Sequence, residues 1–303
     1  MNKKTFAERL RRDWPLCLMV IPGIVLIFIF HYIPIYGVLM AFQNYNPGKG
    51  ILGSQWVGLR HFASFFRDPF CWRIIRNTLW LGALSLVFGF PAPIIFALLI
   101  NELNDGVFKR VTQTISYMPT FISIVIVVGL MMELFGLRSG IVNDLIELLG
   151  GQRINFFDRR EWFRTLYTFS GIWQGIGYGS ILYLAAISGV DQEMYESAVL
   201  DGAGRFRQML HITLPAIAPT IQIQLIFAVG GLLSASTEKV LLMYRPTTYE
   251  TADIIGTYIY RYGLEGGKFS YSAAVGIFLS VIALILTFST NWLNRKVGAA
   301  SFF

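Results

Sequence analysis

The segment 190–215 contains residues whose types and spacing suit the docking of a soluble partner. Asp191 can accept hydrogen bonds from free backbone N–H groups as a helix N-cap, and Glu193 follows in the first turn. Gly202 can turn the chain between two short helices, and Pro215 suits the first turn of the next helix. We therefore predict an amphipathic helix-turn-helix at a membrane surface. Its apolar contact residues are predicted to be Phe206, Met209 and Leu210.

Patterns of catalytic and metal-binding residues are missing from the sequence. The three histidines, His31, His61 and His211, form no H-E-x-x-H motif. Gly267-Lys268 lacks the Ser or Thr that a phosphate-binding loop places next. We predict no catalytic residue, no metal site and no cofactor in this chain.

Long apolar stretches must position the segment 190–215. Six stretches lack Asp, Glu, Lys and Arg over more than about 20 residues, the length that a helix needs to cross the hydrocarbon core. A β-barrel would use shorter strands of alternating polarity. The sequence therefore predicts an all-α, polytopic membrane protein with six transmembrane helices. The six stretches are 14–42, 77–100, 111–132, 166–189, 212–237 and 269–294.

Two of these stretches carry residues that shape a helix. Pro119 in the third stretch frees a backbone carbonyl, which must find another partner. Gly171, Gly175 and Gly179 in the fourth stretch share one helix face. This glycine face predicts either close helix packing, the simpler interpretation, or part of a substrate path.

The composition supports the membrane interpretation and excludes other classes. Of the 303 residues, 54% are hydrophobic and 14% are charged, against roughly 25% charged in an ordinary soluble domain. The net charge of +7 is dispersed rather than gathered on one face, which argues against nucleic-acid binding. Cys17 and Cys71 are too few for a disulfide framework.

The predicted domain organisation is simple. Residues 1–13 form a cytoplasmic N-terminal segment, and residues 14–303 form a single transmembrane domain that contains the loop 190–215. The first apolar stretch is about twice as long as the apolar region of a signal peptide, so we expect a retained span. Basic residues before it favour cytoplasmic termini.

Residues 196–215 carry a family resemblance. They follow the spacing E-S-A-x-x-x-G-x9-I-x-L-P, which resembles the EAA loop, E-A-A-x-x-x-G-x9-I-x-L-P, of type I ABC importer permeases. The single departure is Ser197, and serine is nearly as small as alanine. The segments 257–264 and 271–278 resemble the branch that carries oligosaccharides and polysaccharides.

The resemblance implies half of a translocation pore in a bacterial inner membrane. In that family the loop lies in the cytoplasm and docks in a groove of an ATP-hydrolysing subunit. The implied partners are a second homologous permease, which favours a heterodimer, two ATPase subunits that hold ATP and Mg²⁺, and an extracytoplasmic solute-binding protein that delivers an oligosaccharide. The implied coupling residues are Glu196, Ser197, Ala198, Asp201, Gly202, Ala203, Phe206, Met209, Leu210, Ile212, Leu214 and Pro215.

The substrate path is predicted on weaker grounds, because sugars are held by aromatic rings, amides and hydroxyls that also serve packing. Gln174 and Tyr178 share a helix face and are predicted to line the path, although interhelical hydrogen bonding explains them equally well. Trp173 and Gln222 are further candidates. Residues 238–268 are predicted to form an outer helix against the binding protein, or a solvated connector.

Other functions remain open. A permease of the same architecture could carry a non-sugar solute, but a strongly charged ligand would require a basic residue in the spans, and none occurs in the six stretches. A self-sufficient secondary carrier would need ionisable groups or inverted repeats within the membrane. A membrane enzyme would need catalytic residues.

Overall fold

The computed structural model describes residues 6–296, with side chains from Trp14 onward except that of Cys17. Helices dominate this part of the chain. Their bounds are α1 Phe6–Ile27, α2 Ile33–Ile35, α3 Arg60–Arg67, α4 Cys71–Leu84, α5 Pro91–Asn101, α6 Val107–Tyr117, α7 Ile124–Leu134, α8 Ile141–Leu148, α9 Arg160–Ser188, α10 Gln192–Leu200, α11 Arg205–Gln208, α12 Leu214–Ala216, α13 Ala218–Gly230, α14 Thr237–Met243, α15 Tyr249–Ala252, α16 Ile255–Ile259 and α17 Phe269–Lys296.

Several helices are joined without a break by turns of π or 3₁₀ geometry, and one short hairpin interrupts the helical pattern. The π turns are Phe28–Tyr32, Ser85–Gly89, Met209–Thr213 and Tyr260–Glu265, and the 3₁₀ turns are Tyr36–Phe42, Met118–Phe121 and Pro246–Thr248. The antiparallel strands are β1 Gln43–Asn44 and β2 Gln55–Trp56, in the register Gln43↔Trp56 and Asn44↔Gln55.

The chain divides into two compact units. One comprises the chain up to Arg67 together with Arg261–Phe278, and the other comprises Asp68–Tyr260 and the chain from Leu279 onward. The coupling segment and the predicted path residues all belong to the second unit. Residues 6–13, predicted as a separate N-terminal segment, are part of α1.

Three helical segments are long and apolar enough to cross a membrane, namely Trp14–Phe42, Cys71–Asn101 and Phe269–Lys296. They contain the first, second and sixth predicted stretches. The fourth stretch lies in α9, whose 29 residues extend about 43 Å at 1.5 Å per residue. Its length is sufficient for a crossing. Because it carries many polar residues, it is not among the three helices that are apolar enough by composition.

The third predicted span is not a straight helix. Val107–Phe121 and Ile124–Leu134 meet at 104°. Pro119 lies just before the bend, and Ser123 then caps α7 by accepting a hydrogen bond from the Ile126 N–H at 3.4 Å. The stretch 111–132 is therefore two helical segments rather than a single straight helix, in keeping with the irregularity that Pro119 predicts.

The fifth predicted span is also bent. Arg205–Ala216 and Ala218–Gly230 meet at 63°, and Pro215 and Pro219 lie on either side of the bend. The long helix ends at Gly230, before the predicted limit at residue 237, and α14 begins at Thr237. Residues 237–259 are folded rather than solvated, with buried side chains such as Val240, Met243 and Tyr258.

Candidate coupling surface and translocation cavity

The helix α10 is capped at both ends by the residues that the sequence indicates. The Asp191 carboxylate accepts a hydrogen bond from the Glu193 N–H at 3.0 Å. At the other end, the Ala203 N–H donates to the Ala198 carbonyl at 2.8 Å and the Gly202 N–H donates to the Val199 carbonyl at 3.0 Å. This pair of bonds is a Schellman motif, and it requires a left-handed residue at position 202.

Gly202 supplies that conformation, with a φ of +74°. No atom lies within 4 Å of the position that a Cβ would occupy there. The requirement for glycine is therefore conformational rather than steric, since an L-residue in the left-handed region is strained even where space is available.

Two hydrogen bonds fix the second arm of the segment against the first. The Tyr195 hydroxyl lies 2.9 Å from the Thr213 hydroxyl, which is buried. The Gln208 side-chain amide donates to the Ala203 carbonyl at 2.8 Å. The turn at Gly202 and these two hydrogen bonds therefore fix the position of the second arm relative to α10.

The predicted coupling residues divide into exposed and inward-facing groups. Met209 and Leu214 pack against a buried cluster that contains Ile94, Tyr183 and Ile217. Both are half-buried, so Met209 offers less apolar surface to a partner than the sequence prediction assumed, and its coupling role stays a prediction. Ala198, Ala203 and Ile212 are half-buried. The exposed residues are Glu196, Ser197, Asp201, Gly202, Phe206, Leu210 and Pro215.

Sequence reasoning missed three apolar residues of α10. Leu200 is 88% exposed, more than Phe206 at 69%, and Val199 and Met194 are also exposed. The sequence did contain a signal for them. The capping pattern already indicated a surface helix over residues 192–200, and apolar residues on such a helix are candidate contact residues. We call the exposed set Met194, Val199, Leu200, Phe206 and Leu210 the apolar ledge.

A polar cleft of about 420 Å³ adjoins the coupling segment. Glu102, Asp105 and Lys109 line one part of it, and Tyr195 and Arg205 line another. Arg205 donates to the Glu102 carbonyl at 3.4 Å. The Lys109 ammonium, 2.9 Å from the Asp105 carboxylate, holds the pKa of that carboxyl below its ordinary value.

A second cavity, of about 470 Å³, lies along α9 and is called the α9 cavity below. Gly171 and Gly175 line it, and nothing lies within 4 Å of a Cβ built at Gly175. Gly179 instead packs against Pro93. The close helix approach occurs at Gly177, where a Cβ would overlap the Ser116 carbonyl. Two glycines of the predicted face thus open space, which supports the substrate-path alternative over packing.

An adjacent cavity of about 660 Å³ is lined by Tyr178, Tyr183, Gln224 and Phe227. It shares Ser85, Gly89, Pro93 and Tyr167 with the α9 cavity. Aromatic walls with a few polar groups are typical of small-molecule sites.

The four predicted path residues have different surroundings. Gln174 lines the α9 cavity but also donates to the Ile122 carbonyl at 2.9 Å, and its own carbonyl accepts from the Thr120 hydroxyl at 2.6 Å. Tyr178 lines the adjacent cavity. Trp173 and Gln222 line neither cavity.

A buried cation in the α9 cavity was missed. Lys239 is only 4% exposed, and its ammonium donates to the Tyr167 carbonyl at 2.8 Å and lies 4.7 Å from the centre of the Tyr167 ring. The sequence prediction considered only the six apolar stretches, which lack basic residues, and so overlooked this basic side chain in the cavity. Lys239 lies just beyond the fifth apolar stretch, and only folding brings it against α9.

Comparison with known proteins identifies the family. Residues 89–299 match the family described as "Binding-protein-dependent transport system inner membrane component". The chain belongs to this family. Its position within an inner-membrane transport system follows from that membership.

Two curated relatives from Bacillus subtilis (strain 168) match almost the whole chain. The chain is 46% identical to Protein LplB over 97% of its own length and 92% of that protein. It is 46% identical to the polygalacturonan/rhamnogalacturonan transport system permease protein YteP, over 98% of this chain and 92% of that one.

Solved structures extend the likeness to the fold. One is a bacterial ABC transporter involved in the import of the acidic polysaccharide alginate, with a TM-score of 0.89 and 42% identity over 97% of this chain and 99% of that one. Another is a bacterial alginate ABC transporter in complex with an alginate pentasaccharide-bound periplasmic protein, with a TM-score of 0.90 and 41% identity over 99% and 100% of the two chains. The chain therefore has the ABC importer permease fold.

Proposed function

We propose that this chain is one permease subunit of an ATP-driven importer that carries oligosaccharides or polysaccharide fragments delivered by an extracytoplasmic binding protein. The single observation that carries the proposal is the apolar ledge on the capped turn at Gly202, in a chain of this family. The named substrates of its relatives, polygalacturonan, rhamnogalacturonan and alginate, support a carbohydrate cargo.

The ledge is the proposed seat of an ATPase subunit. Single exposed apolar residues are normal on a surface, but five of them within residues 194–210 of one capped turn favour a partner. Phe206 and Leu200 are the most exposed members and would enter the partner's groove. ATP and Mg²⁺ would bind in two such ATPase subunits, and this chain would transmit their closure to the α9 cavity as a coupling free energy.

The pore is proposed to need a second, homologous permease. The sugar branch favours a different chain for this role, which gives a heterodimer. Lipid would surround the exposed apolar helices, and both termini and the segment 190–215 would lie in the cytoplasm of a bacterial cell. A binding protein would deliver the sugar at the opposite side.

The substitution Gly202→Asp tests this function. A side chain at φ +74° is strained and displaces the turn that presents the ledge. We expect sugar uptake to fall by about 5–150-fold while the subunit still inserts in the membrane. Uptake of labelled oligosaccharide and ATP hydrolysis are measured in vesicles that contain the complete transporter.

Gly204→Ala is the matched control. Gly204 has an ordinary φ of −71° and open space around its Cβ position, so alanine fits there without strain. We expect normal uptake in that variant. Normal uptake in the Gly202→Asp variant would contradict the assignment of the ledge to energy coupling.

A further inference from the structure

The α9 cavity holds polar groups that the protein itself does not satisfy. Of the three N–H donors that a lysine ammonium carries, Lys239 uses one, toward the Tyr167 carbonyl. Within residues 6–296, no carboxylate forms an ion pair with Lys239. A buried ammonium without a counter-ion is costly, so an anion bound beside Lys239 would stabilise its charge.

A second group in the same cavity points to a ligand independently. The Thr168 hydroxyl is buried and has no hydrogen-bond partner, and Thr168 lines the α9 cavity beside Lys239. Buried polar atoms normally find partners. An unpaired hydroxyl and an under-used ammonium that line one cavity are donors of the kind that bind a carboxylate.

The space beside the ammonium is kept open by glycine. A Cβ at Gly171 would lie 3.5 Å from the Lys239 nitrogen, so any side chain there would occupy the approach to the ammonium. Gly175 lies one turn further along the same face and is also open. The adjoining aromatic cavity, with Tyr178 and Phe227, would accept the flat face of a sugar ring.

A second cation precedes this site on α9. Arg164 lies one turn before Thr168, about 6 Å along the helix axis. Its guanidinium donates to the Asn77 side-chain oxygen at 3.1 Å and lies 5.5 Å from the Trp80 ring, while its buried Nε has no partner. Arg164 of α9 and Lys239 of α14, which contacts α9 at Tyr167, thus offer positive charge at successive levels along α9.

From these contacts we infer that the α9 cavity is an anion-binding subsite in which Lys239 and Thr168 bind the carboxylate of a uronic acid, so that the transported sugar is an acidic oligosaccharide. This inference rests on the proposed function and specifies its substrate class. The likeness to an alginate importer is consistent with it, although the argument depends on Lys239, Thr168 and the glycine-lined space.

The test compares a charged sugar with its neutral counterpart. The complete transporter, purified through a tag on this chain and reconstituted in liposomes with its binding protein, is assayed for uptake of trigalacturonate and of the same trimer with its carboxyl groups reduced to alcohols. We expect Lys239→Gln to lower trigalacturonate uptake by about tenfold or more and Lys239→Arg to retain most of it. Uptake of any neutral trimer that the wild type carries should not fall in parallel.

Two further variants separate binding from damage to the fold. Thr168→Val removes only the unpaired hydroxyl, so we expect a selective, smaller loss of trigalacturonate uptake. Lys296→Met is the matched control, because Lys296 also lies over an aromatic ring, Trp292 at 4.0 Å, but is exposed and outside the cavity. That variant should behave as the wild type.

The outcomes distinguish the inference from the proposed function. Equal trigalacturonate uptake by the wild type and the Lys239→Gln variant would overturn the subsite. A wild type that imports only neutral oligosaccharides would overturn the acidic substrate while leaving oligosaccharide import intact. A wild type that imports neither class would overturn the proposed function, and the inference with it.

Discussion

At the scale of single residues, Gln174 shows how one side chain can serve two purposes. Its amide donates to the Ile122 carbonyl at the bend between α6 and α7, and its backbone carbonyl accepts from Thr120. Broken helices at membrane depth are stable only where neighbouring groups satisfy the freed backbone. Gln174 performs this role and also lines the α9 cavity. Both interpretations of this residue from the sequence, interhelical hydrogen bonding and a place on the substrate path, are therefore compatible with its position.

The substitution Gln174→Leu should destabilise the protein. It leaves the Ile122 carbonyl without its donor, at a cost of about 1–3 kcal/mol. Thermal unfolding of the detergent-purified protein measures the effect. Gln152→Leu, at an exposed position, is the control and should leave the unfolding temperature unchanged. Equal unfolding temperatures for both variants would refute the bridging role.

At the scale of elements, α9 organises the second unit. Its glycines have distinct roles on different faces of the helix: Gly177 allows the backbone of α6 to approach, and Gly175 faces open space. Lys239 of α14 and Asn77 of α4 both contact this helix, through Tyr167 and Arg164 respectively. A substitution on α9 therefore acts according to the face on which it lies.

The pair Gly177→Ala and Gly175→Ala tests this difference. A methyl at Gly177 would overlap the Ser116 carbonyl and force α6 away, at about 1–3 kcal/mol for overpacking. A methyl at Gly175 meets nothing within 4 Å, so stability should be retained or slightly raised. Unfolding curves measured side by side decide the matter, and an equal loss in both variants would contradict the assigned faces.

At the scale of the whole molecule, the crossing made by α9 fixes which loops lie on opposite sides. The loop before α9 and the coupling segment after it are separated by a helix of 29 residues, which is longer than the roughly 30 Å hydrocarbon core requires. We propose that α9 crosses the membrane, so that the apolar ledge and the loop around Gln152 face different compartments, with the ledge on the side of the proposed ATPase.

Cysteine labelling in cells tests this orientation. In a chain whose Cys17 and Cys71 are replaced by serine, Gln152→Cys should react with a membrane-impermeant maleimide in cells with a permeable outer surface. Ser197→Cys should react only after the inner membrane is opened. Both positions are exposed, so access rather than burial governs the reaction. The reverse pattern would contradict cytoplasmic placement of the coupling segment.

Local sequence signals were enough to predict the helical membrane class, the turn at Gly202 and the family, since these depend on apolar length, capping residues and the spacing around Gly202. Tertiary structure decided the rest. Met209 packs against a cluster that contains Ile94 of α5 and Tyr183 of α9, and the bend after Pro119 depends on partners from α9. Lys239 meets Tyr167 across a sequence separation of 72 residues. No local pattern encodes such contacts, since they form only when distant segments bury each other's polar groups.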